Sequence, residues 1–407
     1  MIQELNLRNW KSFDSAQLNI DPLTFVIGTN ASGKSNILDA FLFLLRIANG
    51  QQIKAAINGE TGAPPLRGGL DWIFRMGQTE CQVGVVINTD RKEIFYKYQI
   101  TLRKTADFNG CEIISEQLIL INHNNPRMSD KQLFYTGKEN SGDAVIPVYF
   151  YTGKRGSQRR IDMNRAYSIL SQVENLNVTK EVRDAAKLVC DNLKRIFILD
   201  PIPNHMRVYS QLAETLTTDA ANIAGVLAAL SPDRKEEVER ELTKYIRPLP
   251  EKDINKIWAE TVGRFGTDAM LYCEEGWTSE AMTTIDARGM SDGTLRFISV
   301  VTALLTGKEK SLLIIEEIDN GLHPSRAKEL VNVLKALGQS RQIDILCTTH
   351  NPALIDALGN SMIPFISYVK RNPETGVSEI ELLEEKANLA KLMAGGSVGD
   401  LMVQGKI

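Results

Sequence analysis

The chain has 407 residues, 43% of them hydrophobic, which is enough for one large core or two smaller ones, since domains run ~100–200 residues. A formal net charge of −3 excludes a general basic footprint for nucleic acid or anionic membrane, so either contact must come from a local patch. The five cysteines, Cys81, Cys111, Cys190, Cys273 and Cys347, show no C-x-x-C spacing and do not cluster with the four histidines, so neither a zinc site nor a disulfide framework is indicated.

At the N-terminus, Met1-Ile-Gln-Glu-Leu-Asn6 lacks a basic-then-apolar leader, and no apolar run approaches the ~20 residues that span a bilayer. The expectation is a cytoplasmic, reduced protein with no membrane contact. The first strong element is the apolar strand Leu23-Thr-Phe-Val-Ile27, followed by Gly28-Thr-Asn-Ala-Ser-Gly-Lys-Ser35 and a helix carrying Ile37, Leu38, Phe41, Leu42, Leu44 and Leu45. This is a complete G-x-x-x-x-G-K-S phosphate loop in its strand-loop-helix context, and it predicts a nucleoside triphosphate ligand. Gly28 and Gly33 let backbone N–H groups face the phosphates, with Asn30 in the loop and Asn36 at the helix start. Lys34 reaches the β- and γ-phosphates, and Ser35 offers a hydroxyl to Mg²⁺.

Alternation over 82–87, 94–102 and 113–121 predicts strands of an antiparallel sheet beside the nucleotide. Asn122-His-Asn-Asn125 lacks the spaced second histidine and metal ligands of a nuclease and reads as a loop. Gly153-Lys-Arg-Gly-Ser-Gln-Arg-Arg160, with Arg165 shortly after, is either a phosphate-contacting patch or a solvated run of charge. Helices are expected over 181–196, over 220–230 behind an N-cap at Asp219, and over 232–245 behind an N-cap at Ser231; none sustains the heptads of a long coiled-coil arm.

Further on, Ala287-Arg-Gly-Met-Ser291-Asp-Gly-Thr294 is a Ser/Gly turn before an apolar helix, which by itself reads as a helix cap. Ser311-Leu-Leu-Ile-Ile-Glu-Glu317 has the pattern of a buried parallel strand with two acids at its tip. Those acids are either solvated or functional, Glu316 holding Mg²⁺ and Glu317 orienting and deprotonating water. A turn holding Asp319 leads to a helix with Leu330, Val331, Leu334 and Leu337. The strand Ile343–Cys347 then ends in Thr348-Thr-His350, a histidine that is either structural or within reach of a γ-phosphate. Two closing strands flank Asn372–Gly376, and Gly395–Gly399 reads as a flexible or docking tail.

In this order, the phosphate loop, Ser-x-Gly turn, acidic strand, Asp-containing turn and strand-end histidine resemble the ABC-type ATPase heads of RecF, SMC-like repair proteins and transporters. The resemblance implies Walker A at Gly28–Ser35, a signature at Ser291–Thr294 with Ser291 and Gly293 on the γ-phosphate held by the opposite subunit, Walker B ending at Glu316 and Glu317, a D-loop at Asp319 and a switch histidine at His350. It also implies a homodimer sandwiching two ATPs, with Mg²⁺. Asp292 and Thr294 replace the Gly and Gln of transporter signatures, and Glu316 replaces the usual Asp. The chain is therefore more similar to the OLD-type and Septu-type defence ATPases, whose first strand ends in a stretch like Asn9-Trp-Lys-Ser-Phe13. Lys11 and Ser12 would either line the nucleotide near its α-phosphate or form a solvated turn.

The fold class expected is α/β: a P-loop head of the ABC-ATPase kind with a mixed sheet, an antiparallel β subdomain and an inserted helical lobe. Residues 1–150 form the N-terminal part of the head, 151–265 a mainly helical lobe and 266–407 the C-terminal part. Only 57 residues follow His350 (407 − 350), too few for the nuclease domain of OLD-type enzymes. The functional expectation is an ATP-hydrolysing dimeric switch that controls an effector protein such as a nuclease or toxin. The alternative is a RecF-like ATPase that clamps DNA through Lys154, Arg155, Arg159 and Arg160.

Overall fold

Alternating and apolar runs become strands close to where the pattern puts them. The structure is a computed structural model that describes every residue except 92, 106–109, 124–129, 138–142, 155, 250–253, 277–281, 322 and 407. The chain divides into two compact units, one formed by 1–21, 28–196 and 367–381, the other by 22–27, 197–366 and 382–407.

In the first unit, Ile2–Trp10 pairs antiparallel with Phe13–Asn19 on one side and Glu80–Asn88 on the other. The sheet continues antiparallel through Ile94–Lys104, Cys111–Asn122, Lys131–Thr136, Val145–Tyr151 and Gln158–Asn164. Residue by residue, Leu5 faces Val85, Val85 faces Tyr98 and Tyr98 faces Leu118, so their period-2 apolar faces fall together in the core. Ser378, at the head of the closing strand Ser378–Leu382, pairs parallel with Phe13. Helix Lys34–Ala48 buries Ile37, Leu38, Phe41 and Leu44, and Trp10 packs on Phe43 at 5.8 Å between ring centroids.

The second unit holds a parallel set. Leu312–Ile315 pairs with Asp344–Thr349, which pairs with Leu23–Ile27, so that Thr349 stands opposite Ile27. All three strands are buried along their whole length, as parallel strands covered on both faces are. A smaller antiparallel sheet contains Ile254–Val262, Asp268–Glu275, Thr283–Asp286 and the short Ser210–Gln211. Helix Pro232–Ile246 buries Val238, Leu242 and Ile246, and its Glu239 accepts the N–H of Ala259 at 2.9 Å.

The result is an α/β fold with a large mixed sheet and helices, the fold class the sequence predicts. Within 151–265 the longer helices are Lys180–Lys194, Ile223–Ala229 and Pro232–Ile246, and strands such as Gln158–Asn164 and Ile254–Val262 lie alongside them. The Asp219 carboxylate, expected to cap the second of these helices, instead accepts from Thr217, His205 and the N–H of Ala221, and the N-cap is Asn222. The C-terminal glycine-rich segment docks: Ser397 caps the helix Val398–Val403, and Asp356 accepts from the Ser397 hydroxyl and the Gly399 N–H. No helix among the described residues is long and apolar enough to cross a membrane.

Candidate functional site

The chain leaves Leu23–Ile27 at Gly28 and closes a loop whose backbone leaves no room for a side chain. A Cβ on Gly28 would lie 2.2 Å from the Val369 carbonyl oxygen, and its φ of 154° is uncommon for an L residue. Gly33 caps helix Lys34–Ala48 at φ 119°, and a Cβ there would fall 2.7 Å from Ser378 Oγ. The Lys34 ammonium folds back over the loop, donating to the carbonyls of Gly28 at 2.6 Å and Thr29 at 2.9 Å.

Beneath the loop, Ser378 Oγ donates to the Ser32 carbonyl at 2.5 Å and lies 2.8 Å from Ser12 Oγ, which itself accepts from the Asn36 amide at 2.8 Å. Ser32 Oγ is buried and finds no hydrogen-bond partner among the described residues. A tight glycine-bounded loop at a helix start, a lysine ammonium folded onto its carbonyls and an unsatisfied buried hydroxyl together suit a polyphosphate. Asn30 is exposed on the loop, and the Ser35 carbonyl accepts from Arg67 at 3.2 Å.

Lys11 fits neither reading given by the sequence. Its ammonium is buried against Asp39 Oδ2 at 2.5 Å and the Arg67 carbonyl at 2.7 Å, and burial pulls its pKa below the usual lysine value against the pull of Asp39. Ser12 belongs to the hydrogen-bonded support of the loop.

In the second unit, the strand Leu312–Ile315 leads to Glu316, whose N–H donates to the Leu199 carbonyl at 3.0 Å. Glu317 turns with φ at 43°, a left-handed conformation that costs an L residue roughly 1–2 kcal/mol. Two bonds from one neighbour hold it there: the Glu317 N–H donates to Thr348 Oγ1 at 2.9 Å and the Ile318 N–H to the Thr348 carbonyl at 3.1 Å. His350 Nδ1 lies 3.9 Å from Glu317 Oε1, which puts the strand-end acid and the strand-end histidine side by side. Asp319 is buried, its Oδ1 without a partner among the described residues, and its charge adds to the burial that pushes the Cys347 thiol well above the usual range.

The Ser291 turn caps helix Asp292–Thr306. Ser291 Oγ accepts from the Thr294 N–H at 3.2 Å and lies 2.8 Å from Thr294 Oγ1. A Cβ on Gly293 would come within 2.7 Å of the Gly321 carbonyl oxygen, so the turn and the residues after Asp319 are in close backbone contact. Buried Arg326 reaches Thr294 Oγ1 at 3.4 Å. Thr348 and Arg326 belong to no motif; the position of Thr348 at the tip of an apolar strand is the one sign of it in the sequence.

The basic run is largely engaged. Arg159 donates to the Asn177 carbonyl, Arg160 pairs with Asp162, and Arg165 is buried against Glu112 and the Ile113 carbonyl. Arg155, and Asn124 and Asn125 of the 122–125 loop, lie outside the described residues, while His123 packs on Phe95.

Residues 1–269 match the family model described as "AAA ATPase domain", and residues 279–356 match one described as "AAA domain, putative AbiEii toxin, Type IV TA system". An "ATP/GTP phosphatase" of Helicobacter pylori is 22% identical over 383 residues, 88% of this chain and 87% of that protein. A stretch of 55 residues, 13% of this chain, is 40% identical to the "Chromosome partition protein Smc" of Methanocaldococcus jannaschii, of which it covers 5%. An SMC head solved bound to the C-winged helix domain of ScpA superposes with a TM-score of 0.50 at 14% identity, over 93% of this chain and 96% of that one, a likeness of fold.

Proposed function

The chain belongs to the AAA ATPase domain family, and from that premise we propose a dimeric switch in which two copies close over two ATP molecules, reopen after hydrolysis and pass the motion to an effector protein. It is an ATPase with an SMC-head fold. The effector is a nuclease or toxin acting in bacterial anti-phage defence, a reading supported by the toxin–antitoxin description of the model matched at 279–356.

The observation that carries the proposal is a second phosphate-ready helix start in a chain that already has a complete phosphate loop. The Ser291 turn presents a hydroxyl and the N-terminus of a 15-residue helix, the equipment for a γ-phosphate held by another copy. Lys34 and the loop N–H groups bind the phosphates. Glu317, fixed by Thr348, orients water and takes its proton, and His350 beside it reads the γ-phosphate. The Ser35 hydroxyl and Glu316 carboxylate are hard oxygen donors of the kind Mg²⁺ takes, and that ion, when bound, neutralises phosphate charge.

Glu317→Gln tests the assignment: turnover should fall ~10²–10⁴-fold with ATP binding intact, because phosphoryl transfer depends on positioning and charge. A normal rate would remove Glu317 from the mechanism. Purified with ATP from its native host, tagged Glu317→Gln protein should bring down a stoichiometric nuclease or toxin. Recovery of duplex DNA with recombination proteins, and no effector, would replace this reading with a DNA-clamping ATPase.

A further inference from the structure

We infer that Arg207 is a positioning residue for the phosphate-binding turn at Ser291, holding it through Asp292; the inference rests on reading that turn as the signature. One guanidinium nitrogen, Arg207 Nη2, donates to the Met290 carbonyl at 2.9 Å and to Asp292 Oδ1 at 2.6 Å, bonds that bracket Ser291 on both sides. Met290 is itself buried, and the Arg207 side chain is 22% exposed while that of Asp292 is 63% exposed, so the arginine and its bond to the Met290 carbonyl are the shielded part of this contact.

The arginine stands on an anchored segment. It follows the short helix Pro203–Met206, whose Met206 is buried, and its other nitrogen donates to Asn204 Oδ1 at 3.2 Å. Asp219 ties the same segment down twice, its carbonyl accepting the Ile202 N–H at 3.0 Å and its carboxylate meeting His205 Nδ1 at 2.9 Å. Asp292, the residue that departs from the glycine of transporter signatures, therefore has a dedicated partner 85 positions away in sequence.

Charge explains why that partner is needed. Asp292 opens helix Asp292–Thr306, where an acid suits the helix dipole, but a bare carboxylate beside Ser291 would repel an incoming triphosphate. Arg207 cancels that charge and fixes the backbone on both sides of the serine, so the turn meets phosphate already shaped. With Nη1 on Asn204 and Nη2 on both Met290 and Asp292, the rigid guanidinium ties the anchored segment to the turn in a fixed geometry that a lysine point charge does not reproduce.

The test uses the full-length chain. Arg207→Ala should lower kcat roughly 10- to 100-fold, the effect of losing a charge-assisted hydrogen bond of ordinary strength, and weaken ATP-induced dimerisation of the Glu317→Gln form. Affinity of the isolated chain for a fluorescent ATP analogue should stay within about twofold, because the phosphate loop is untouched. Arg207→Lys should fall between, and the exchange Arg207→Asp with Asp292→Arg should recover most of the loss. Wild-type kcat in Arg207→Ala, alongside lost turnover in Ser291→Arg, would overturn the role of Arg207 while leaving the signature in place. Wild-type turnover in Ser291→Arg would overturn the signature and this inference with it. Loss of melting temperature and of ATP affinity together in Arg207→Ala, unrepaired by the exchange, would show a merely structural residue.

Discussion

The Thr348 hydroxyl accepts the backbone N–H of Glu317 at 2.9 Å, and so the strand that ends in His350 holds the acid at the tip of its neighbour. Glu317 needs that hold because its φ of 43° is unfavourable for any residue but glycine. Thr348→Val keeps the shape, leaves the N–H unpaired and frees the acid to move. Turnover should fall about tenfold, the worth of one hydrogen bond of ~1.4 kcal/mol, with ATP affinity unchanged and Thr348→Ser restoring the rate. Steady-state kinetics of the two variants decide it, and equal rates for Val and Ser would show that the strand pairing alone places Glu317.

Gly28→Ala should abolish nucleotide binding. The added Cβ would sit 2.2 Å from the Val369 carbonyl and 2.9 Å from Ser32 Oγ, so the loop must open and the Lys34 contacts to Gly28 and Thr29 must change. Gly50→Ala is the control: its φ is also positive, at 81°, but a Cβ there meets nothing within 4 Å, so it should lose roughly 1 kcal/mol of stability and no affinity. Calorimetric titration with ATP separates the two, and wild-type affinity in Gly28→Ala would mean that the cradle tolerates a side chain.

What the sequence made legible was local. The loop from Gly28 to Ser35 is written in adjacent residues, and the strands Glu80–Asn88, Ile94–Lys104 and Cys111–Asn122 follow from period-2 alternation that survives folding because one face is buried. What stayed hidden was pairing across long separations. Lys11 looked like a nucleotide ligand or a turn because nothing near it announces Asp39, 28 residues on. Arg165 counted as one more cation in a basic run until folding set it against Glu112. Arg207 gave no sign of Asp292, since an arginine after a four-residue helix has no pattern of its own. The candidate site was thus readable where chemistry requires a contiguous motif, and not where a distant side chain supports one.

Lys11 and Asp39 should behave as a buried ion pair. Asp39→Asn leaves the Lys11 ammonium, 5% exposed in its side chain, without its counter-charge and should cost ~3–5 kcal/mol. Replacing both, Lys11→Met with Asp39→Leu, removes the desolvation along with the attraction and should come within about 1–2 kcal/mol of wild type. Urea unfolding of the single and double variants gives both numbers. A mild Asp39→Asn would mean that the Arg67 carbonyl alone satisfies the lysine.

Glu116 is the opposite kind of buried ionisable group, an acid with four donors and, among the described residues, no cation in an ion pair with it. Its Oε1 accepts from the Tyr98 and Ser168 hydroxyls and the Leu170 N–H, and its Oε2 from the Ile169 N–H. Glu116→Ala leaves the Ile169 and Leu170 N–H groups unpaired and the Tyr98 and Ser168 hydroxyls only each other, 3.1 Å apart, and should destabilise the protein by ~3–5 kcal/mol. Complete burial raises the pKa in spite of those bonds, so the folded chain keeps the proton at a pH where the unfolded chain, near the ordinary ~4.3, has released it. The stability due to that proton is therefore fully present below ~4.3 and is lost as pH rises through the folded value. The gap between wild type and Glu116→Ala should widen as pH falls from neutral toward ~4.3, measured by urea unfolding at each pH. A gap that narrows would mean that the four donors outweigh burial and that the core holds a carboxylate rather than an acid.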